Sequence, residues 1–356
     1  MMTWWMVGLM AAVVSLGLGW PVRGLLRRLN VIDRPGNRSS HQLPTVRGGG
    51  LGIIAVVLAG GLVLASKVGP LPVAWLLGSA VVLATVSFWD DLRSLGAAIR
   101  FGCHAAAAVA VLFSLGWPRW EISLGAQAGF TVPAGIALGV GFLWLAGYTN
   151  AFNFMDGING IAGMQASVAG AGMALVAGTA TGQWAAPPVL FSGLLAGATL
   201  GFLPHNFPRA RMFMGDVGSA PLGFLLAATL LWLVRDLGAG LLVPLLLLHA
   251  NFVLDTGITL ARRIRRGEKW HQPHREHFYQ RLVRAGRSHP SVTLMEFGLQ
   301  LLVLLLVLAY PGAGAAGRVG LGVAVLAVWG LYFAYAESVF RQSPAGAAAQ
   351  STVNVT

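Results

Sequence analysis

Acidic side chains are scarce in this chain. Asp and Glu number 12 in 356 residues against 24 Lys and Arg, and charged residues together make up 10% of the sequence. A soluble domain carries about 25% charged residues, so a soluble fold of any size is excluded; the longest polar stretches run over about 23–48 and 257–291. Cysteine occurs once, at Cys103 inside an apolar run, which excludes an intrachain disulfide and fits a small buried hydrophobe. Basic residues are missing from positions 1–22, so the first apolar run lacks the positive flank of a secretory signal and reads as a retained span.

What is abundant is apolar sequence: 56% of residues are hydrophobic and the mean hydropathy is +0.70. Runs approaching the roughly 20 apolar residues that cross a bilayer recur from end to end. They lie at about 4–22, 49–66, 71–88, 101–116, 133–149, 160–178, 187–203, 217–234, 239–256, 292–309 and 319–337. The expected fold class is an all-α integral membrane protein of about eleven transmembrane helices, one polytopic domain over 1–341 with a disordered tail over 342–356. Between the fourth and fifth spans, residues 120–124 and 130–132 flank a Gly-containing segment and predict a short hairpin at the membrane surface.

Twenty of the 24 Lys and Arg fall on one side of these spans; Lys67, Arg119, Arg235 and Arg318 fall on the other. The positive-inside rule makes the first side cytoplasmic, with a periplasmic N-terminus and a cytoplasmic C-terminus. Ten of the 12 acids share that side, Glu121 and Asp236 being the exceptions. The net charge of +12 follows largely from this bias and implies membrane lipid, not nucleic acid, as the neighbour.

The scarce carboxylates sit at the ends of apolar runs, where a charge is costly unless something cationic accompanies it. Asp90-Asp91 follow a long apolar run, and with only Arg93 beside them they leave a negative charge that favours a metal or a base role. Asn150, Asn153 and Asp156 are spaced by three and share one helix face ahead of Gly157-Ile158-Asn159-Gly160; end-capping explains one of them, not three. Met214-Gly215-Asp216-Val217-Gly218-Ser219 opens a span, where Asp216 on its own reads as an ordinary N-cap. Arg38, His41 and Arg47 lie ahead of Gly48-Gly49-Gly50, which suits phosphate as well as it suits the anionic leaflet, and Arg211 lies just upstream of Asp216. His271, His274 and His277 recur every three residues, but with Pro273, Arg275 and Arg281 among them anion binding is a better reading than zinc. His104 reads as a satisfied histidine between helices; His249 is left open.

In their order these segments resemble the polyprenyl-phosphate N-acetylhexosamine-1-phosphate transferases of glycosyltransferase family 4. Relatives there include the muropeptide translocase and the enzymes that start O-antigen and teichoic acid synthesis. Asp33-Arg34-Pro35 with Arg38 and His41, then Asp90-Asp91, Asn150 to Gly160, Gly215 to Ser219 and the late His motif are each weak alone, but five in order over about 4–337 are specific. The late segment Pro273 to Leu282 looks most like the O-antigen-initiating branch. Asn159 stands where many members carry Asp.

The resemblance implies transfer of a sugar 1-phosphate from a UDP-sugar to undecaprenyl phosphate, with UMP leaving, in the bacterial inner membrane. It implies Mg²⁺, with Mn²⁺ as an allowed substitute, on Asp216 and Asp156, and catalytic roles for Asp90, Asp91 and Asp156. Asn150, Asn153, Asn159, Arg38, His41, Arg47, Arg211, His274, Arg275 and His277 are then the residues toward donor and phosphates, and a homodimer is allowed. The competing expectation is a transporter or flippase of an anionic lipid-linked substrate, which places polar groups near the bilayer midplane.

Overall fold

The computed structural model describes residues 2–35, 43–68, 72–93, 95–116, 121–123, 129–269 and 274–353. Its helices are α1 (Trp4–Arg28), α2 (Gly50–Val68), α3 (Val73–Leu92), α4 (Ala97–Leu115), α5 (Ala134–Met155), α6 (Ile161–Thr181), α7 (Pro187–Asn206) and α8 (Asp216–Leu237). They continue as α9 (Leu242–Leu247), α10 (Ala250–Arg265), α11 (Phe278–Arg284), α12 (His289–Leu308), α13 (Ala315–Arg341) and α14 (Pro344–Val353). Two short antiparallel pairs complete it: β1 (Ile32–Asp33) with β2 (Thr45–Val46), and β3 (Glu121–Ser123) with β4 (Gly129–Thr131). The second pair is the expected hairpin, in register Glu121 to Thr131. The chain is an all-α multi-pass membrane protein, and each of the eleven expected span positions carries a helix.

Among the described residues, nine helices are long and apolar enough to cross a membrane, and Gly50–Ser66 is a shorter apolar helix. The ninth expected span corrects the sequence reading. It is not continuous: Ala239–Leu247 and Ala250–Arg265 meet at 66°. The break is held by side chains, since the Leu248 carbonyl accepts from Gln165 Nε2 at 3.1 Å and from Gln300 Nε2 at 2.7 Å. Irregular backbone at membrane depth needs such internal partners. A second difference lies at the end of the chain, where Pro344–Val353 is helical at the place of the expected disordered tail; its Ala-rich composition favours helix.

α8 is the centre of the bundle, buried along its whole apolar length, whereas α1 and α13 are mostly exposed to their surroundings. Leu9, Met10 and Val13 on α1, Phe113 on α4 and Leu331 on α13 present apolar surface outward, as lipid-facing positions do. Burial is bought inside by small residues. Gly193, Gly197 and Gly201 recur every four residues on α7, and a Cβ at each would strike the backbone of α1 at Trp4, Gly8 and Ala12. That is close helix packing through a small-residue stripe. His205 then ties the pair at one end, its Nε2 lying 3.0 Å from the Leu16 carbonyl. His104 is buried but its Nδ1 has no partner among the described residues. His249 is buried with Nδ1 2.7 Å from the Tyr148 hydroxyl.

Candidate active site

The site forms where loops tie the starts of α2 and α8 together. Phe213 N–H donates to the Val46 carbonyl at 2.8 Å, Gly49 N–H to Phe213 at 2.8 Å, and Gly50 N–H to Met214 at 2.9 Å. Gly50 and Gly218 face one another so closely that a Cβ on either would overlap the other's Cα. Gly215 has φ of 74°, a conformation that side chains rarely adopt. The glycines of both motifs therefore serve one crossing, and the crossing delivers Arg47 to Asp216.

Arg47 Nη2 lies 2.9 Å from Asp216 Oδ1 and 2.7 Å from Asp91 Oδ1, so one guanidinium nitrogen bridges carboxylates from two helices. Asp91 Oδ2 accepts from the Val217 N–H at 3.3 Å. The Asp91 side chain is fully buried, and its Oδ1, though near Arg47, has no aligned hydrogen bond. Asp216 is the first residue of α8, with Gly215 at the N-cap position, and no capping hydrogen bond is made there. The N-cap reading of Asp216 is thus replaced by an ion-paired carboxylate.

Asp156 follows α5 and leaves its helical geometry, with φ −82° and ψ 54°. Burial and the nearby charges of Asp216 and Asp91 push its carboxyl up to about 7, with Arg47 opposing. On the guanidinium, burial pulls downward, but Asp216 and Asp91 more than offset it and hold Arg47 above its ordinary value. Asn153 joins the same group by accepting from the Ser219 hydroxyl. Asn150 does not: its Nδ2 turns back to the Ala146 carbonyl at 2.7 Å. Asn159 Nδ2 donates to the Pro208 carbonyl at 3.1 Å, and its Oδ1 lies 3.4 Å from His289 Nδ1, which makes it a tie between loops.

The Asp90-Asp91 pair is divided. Asp90 accepts from the Leu95 N–H at 2.6 Å and pairs with Arg100 at 3.0 Å, not with Arg93 as the local sequence suggested. Successive helical side chains point roughly 100° apart, so adjacent acids face different surroundings.

The late histidine segment packs against the Asp156 turn. Tyr279 donates to the Phe154 carbonyl at 3.1 Å, and Gly157 has no room for a Cβ beside that hydroxyl. His274 and His277 rings lie 4.9 Å apart. Burial and the neighbouring His277 pull His274 down to about 4, so it is neutral near pH 7 and offers hydrogen bonds, not charge. His277 Nδ1 donates to Asp255 Oδ1 at 2.8 Å, and Asp255 Oδ2 takes the Phe278 N–H at 2.9 Å. The Arg275 carbonyl accepts from Arg284 at 3.1 Å. Arg211 is exposed, with its N–H on the His205 carbonyl at 2.9 Å. Arg38, His41 and His271 fall outside the described residues.

Residues 73–234, which run from the start of α3 into α8 and hold Asp91, Asp156 and Asp216, match the sequence profile of glycosyl transferase family 4. Across 82% of its length the chain is 32% identical to a decaprenyl-phosphate N-acetylglucosaminephosphotransferase of Mycobacterium tuberculosis, covering 78% of that protein. The chain belongs to glycosyl transferase family 4. A probable undecaprenyl-phosphate N-acetylglucosaminyl 1-phosphate transferase of Bacillus subtilis is 28% identical over 78% of this chain and 76% of its own. A phospho-N-acetylmuramoyl-pentapeptide-transferase of Acaryochloris marina is 30% identical over 70% of this chain and 69% of its own.

For a family 4 member the charge balance is informative. Arg47 pairs with Asp91 and Asp216, and Asp156 is coupled to all three by charge without an ion pair of its own, so among the described residues the acids here exceed the one arginine that pairs with them. Among the described residues no group of three or more His, Cys, Asp or Glu side chains is gathered closely enough to hold a metal ion; Asp91 and Asp216, drawn together on Arg47, are oxygen donors of the kind a hard divalent cation takes, and Asp91 Oδ1 has no aligned hydrogen bond. Two contributors escaped the sequence reading. Ser219 stood only as part of a motif, and Asp255 only within the count of acids on the basic side. The available signal for Asp255 was its rarity: an acid with Thr259 one turn on, in the apolar half of a helix.

Proposed function

We propose that the protein transfers an N-acetylhexosamine 1-phosphate, or its deoxy counterpart, from a UDP-sugar to undecaprenyl phosphate in the bacterial inner membrane. The reaction faces the cytoplasm and starts a surface glycan, O-antigen being the class that the late motif resembles. The observation that carries this reading is the pair Asp91 and Asp216 bridged by Arg47, with Asp156 within reach of their charge, at the ends of apolar helices. Relatives named as N-acetylglucosamine phosphotransferases support the donor class. The Lys and Arg distribution supports the cytoplasmic face. The transporter reading loses its support with membership of a transferase family.

Asp91 and Asp216, with Asp156 beside them, are the residues that would hold Mg²⁺. The ion supplies neutralisation of the pyrophosphate oxygens of the donor. Arg47 keeps the two ligand carboxylates together and adds positive charge on the phosphate side. Asp156, which has no ion pair of its own among the described residues, is the carboxylate left to take the acceptor's proton. An oxygen of the lipid phosphate attacks the phosphorus bearing the sugar, the new P–O bond forms, the anhydride bond breaks and UMP leaves. A single displacement is favoured over an aspartyl-phosphate on Asp91, because that side chain is fully buried and held by Arg47 and the Val217 N–H. His277, fixed through Nδ1 by Asp255, presents its other nitrogen to the donor side.

The test is UMP release by detergent-solubilised protein from a panel of UDP-N-acetylhexosamines with undecaprenyl phosphate and Mg²⁺. Release that needs both lipid and divalent cation is expected. Absence of release from every donor overturns the reading.

A further inference from the structure

A polar cavity that this chemistry does not use lies inside the bundle, where α6, α10 and α12 meet at the break between α9 and α10. It holds about 10 Å³, and Gln165, Asn251, Thr293, Glu296 and Gln300 supply its polar lining. That is room for about one water-sized species. Glu296 is the eighth residue of α12, so it sits roughly 10 Å along that helix from its start, at 1.5 Å per residue.

Every polar group there except the lining oxygens is committed. Glu296 is 3% exposed; its Oε1 accepts from the Tyr332 hydroxyl at 2.5 Å and its Oε2 from Asn251 Nδ2 at 2.8 Å. Both donors are neutral, and no ion pair to Glu296 occurs among the described residues. Asn251 and Gln300 are 1% and 2% exposed, yet Asn251 Oδ1 and Gln300 Oε1 have no partner. Neither amide can be turned to hide its oxygen, because Asn251 Nδ2 is held by Glu296 and Gln300 Nε2 by the Leu248 carbonyl.

Orphaned acceptor oxygens, one carboxylate and no free donor call for a guest that brings positive charge. A water molecule offers two protons but leaves the carboxylate charge standing in the interior, where it is costly. A divalent ion is matched to several carboxylates, and only one is present. We infer that this cavity binds one monovalent alkali cation, sodium by size, on Glu296 and the amide oxygens of Asn251 and Gln300. The ion braces the helix break. Asn251 and Asp255 lie one turn apart on α10, and Asp255 holds His277, so the brace shares a helix with the anchor of the late histidine segment.

The inference does not depend on the proposed reaction, and its test needs no substrate. Purified full-length protein in detergent with EDTA is melted in NaCl, KCl and N-methylglucamine chloride at equal ionic strength. Sodium is expected to raise the melting temperature saturably by several degrees, with potassium giving less, as linkage requires of a ligand bound only by the folded state. Glu296→Gln is expected to melt alike in all three salts. If that variant cannot be purified, Gln300→Met carries the test, with the sodium midpoint shifted about tenfold higher. Equal melting of the wild-type protein in all three salts overturns the inference and leaves a water or a protonated carboxyl in the cavity. An unchanged sodium increment in either variant overturns it as well.

Discussion

Two groups of carboxylates carry opposite charge balances. Around α11, Glu276 pairs with Arg263, Arg266 and Arg281, and Glu337 with Arg262, Arg281 and Arg341, so arginines outnumber acids. Arg262, Arg281 and Arg284 also stack on Phe278 or Phe340. At the start of α8, Arg47 bridges Asp91 and Asp216, and Asp156 adds a third carboxylate coupled to them by charge. A saturated network fixes a loop to the bundle; an unsaturated one stores a deficit that a cation or a substrate can complete. The same pair of residue types therefore has a structural meaning in one region and a functional meaning in the other, and the ratio distinguishes them.

The largest effect that sharpens this contrast comes from Asp216→Asn and Asp91→Asn. Each is expected to lower kcat for UMP release on the order of 10³-fold, with a melting temperature in EDTA no lower than that of the wild type, because each removes repulsion. Near-normal turnover by either would end the assignment of that residue. Asp255→Asn comes next, with a loss of about 10–100-fold as expected for a group that orients another. A changed pH profile of kcat/KM separates that role from simple destabilisation.

Asp90→Asn is expected to cost less than about tenfold in rate and roughly 1 kcal/mol in stability, since Asp90 caps Leu95 and pairs with a partly exposed arginine. A loss as large as that of Asp91→Asn would show the two acids acting together. Glu337→Gln inverts the test on the saturated side. It should lower stability by about 1–3 kcal/mol, by leaving a buried arginine underpaired, while the rate per folded molecule stays near normal.

The smallest expected effect is a pH dependence of stability without divalent cations. The folded carboxyl of Asp156 lies at about 7, above its unfolded value near ~3.9. Its contribution is fully present below the unfolded value and is lost as pH rises toward 7. Melting temperature should therefore fall over that window, and Asp156→Asn should flatten the trend. Saturating Mg²⁺ should flatten it too.

Much of the architecture was legible because apolar length and turn chemistry are local properties. The span positions and the Glu121–Thr131 hairpin agree with the sequence reading for this reason. The scarcity of acids drew attention to Asp91, Asp156 and Asp216, and the structure brings Asp91 and Asp216 onto Arg47 with Asp156 coupled to them by charge. The division between Asp90 and Asp91 was not legible, since it depends on what each face of α3 meets: Arg100 from α4 on one side, Arg47 and α8 on the other. Nor was the break at Leu248, where no residue forbids helix and the substitute partners, Gln165 and Gln300, come from distant helices.

The sequence by itself determined a membrane-embedded helical chain, the side on which its charge gathers, and the ordered motifs that mark its family. These follow from composition, periodicity and spacing, which are properties of short stretches. Only the tertiary structure decided which carboxylates lack a counter-charge, that Gly50 and Gly218 exist for one helix crossing, and that Asp255 serves His277. Those are pairings across 20 to 170 positions, and charge compensation inside a bilayer is settled by which side chains meet, not by which are present.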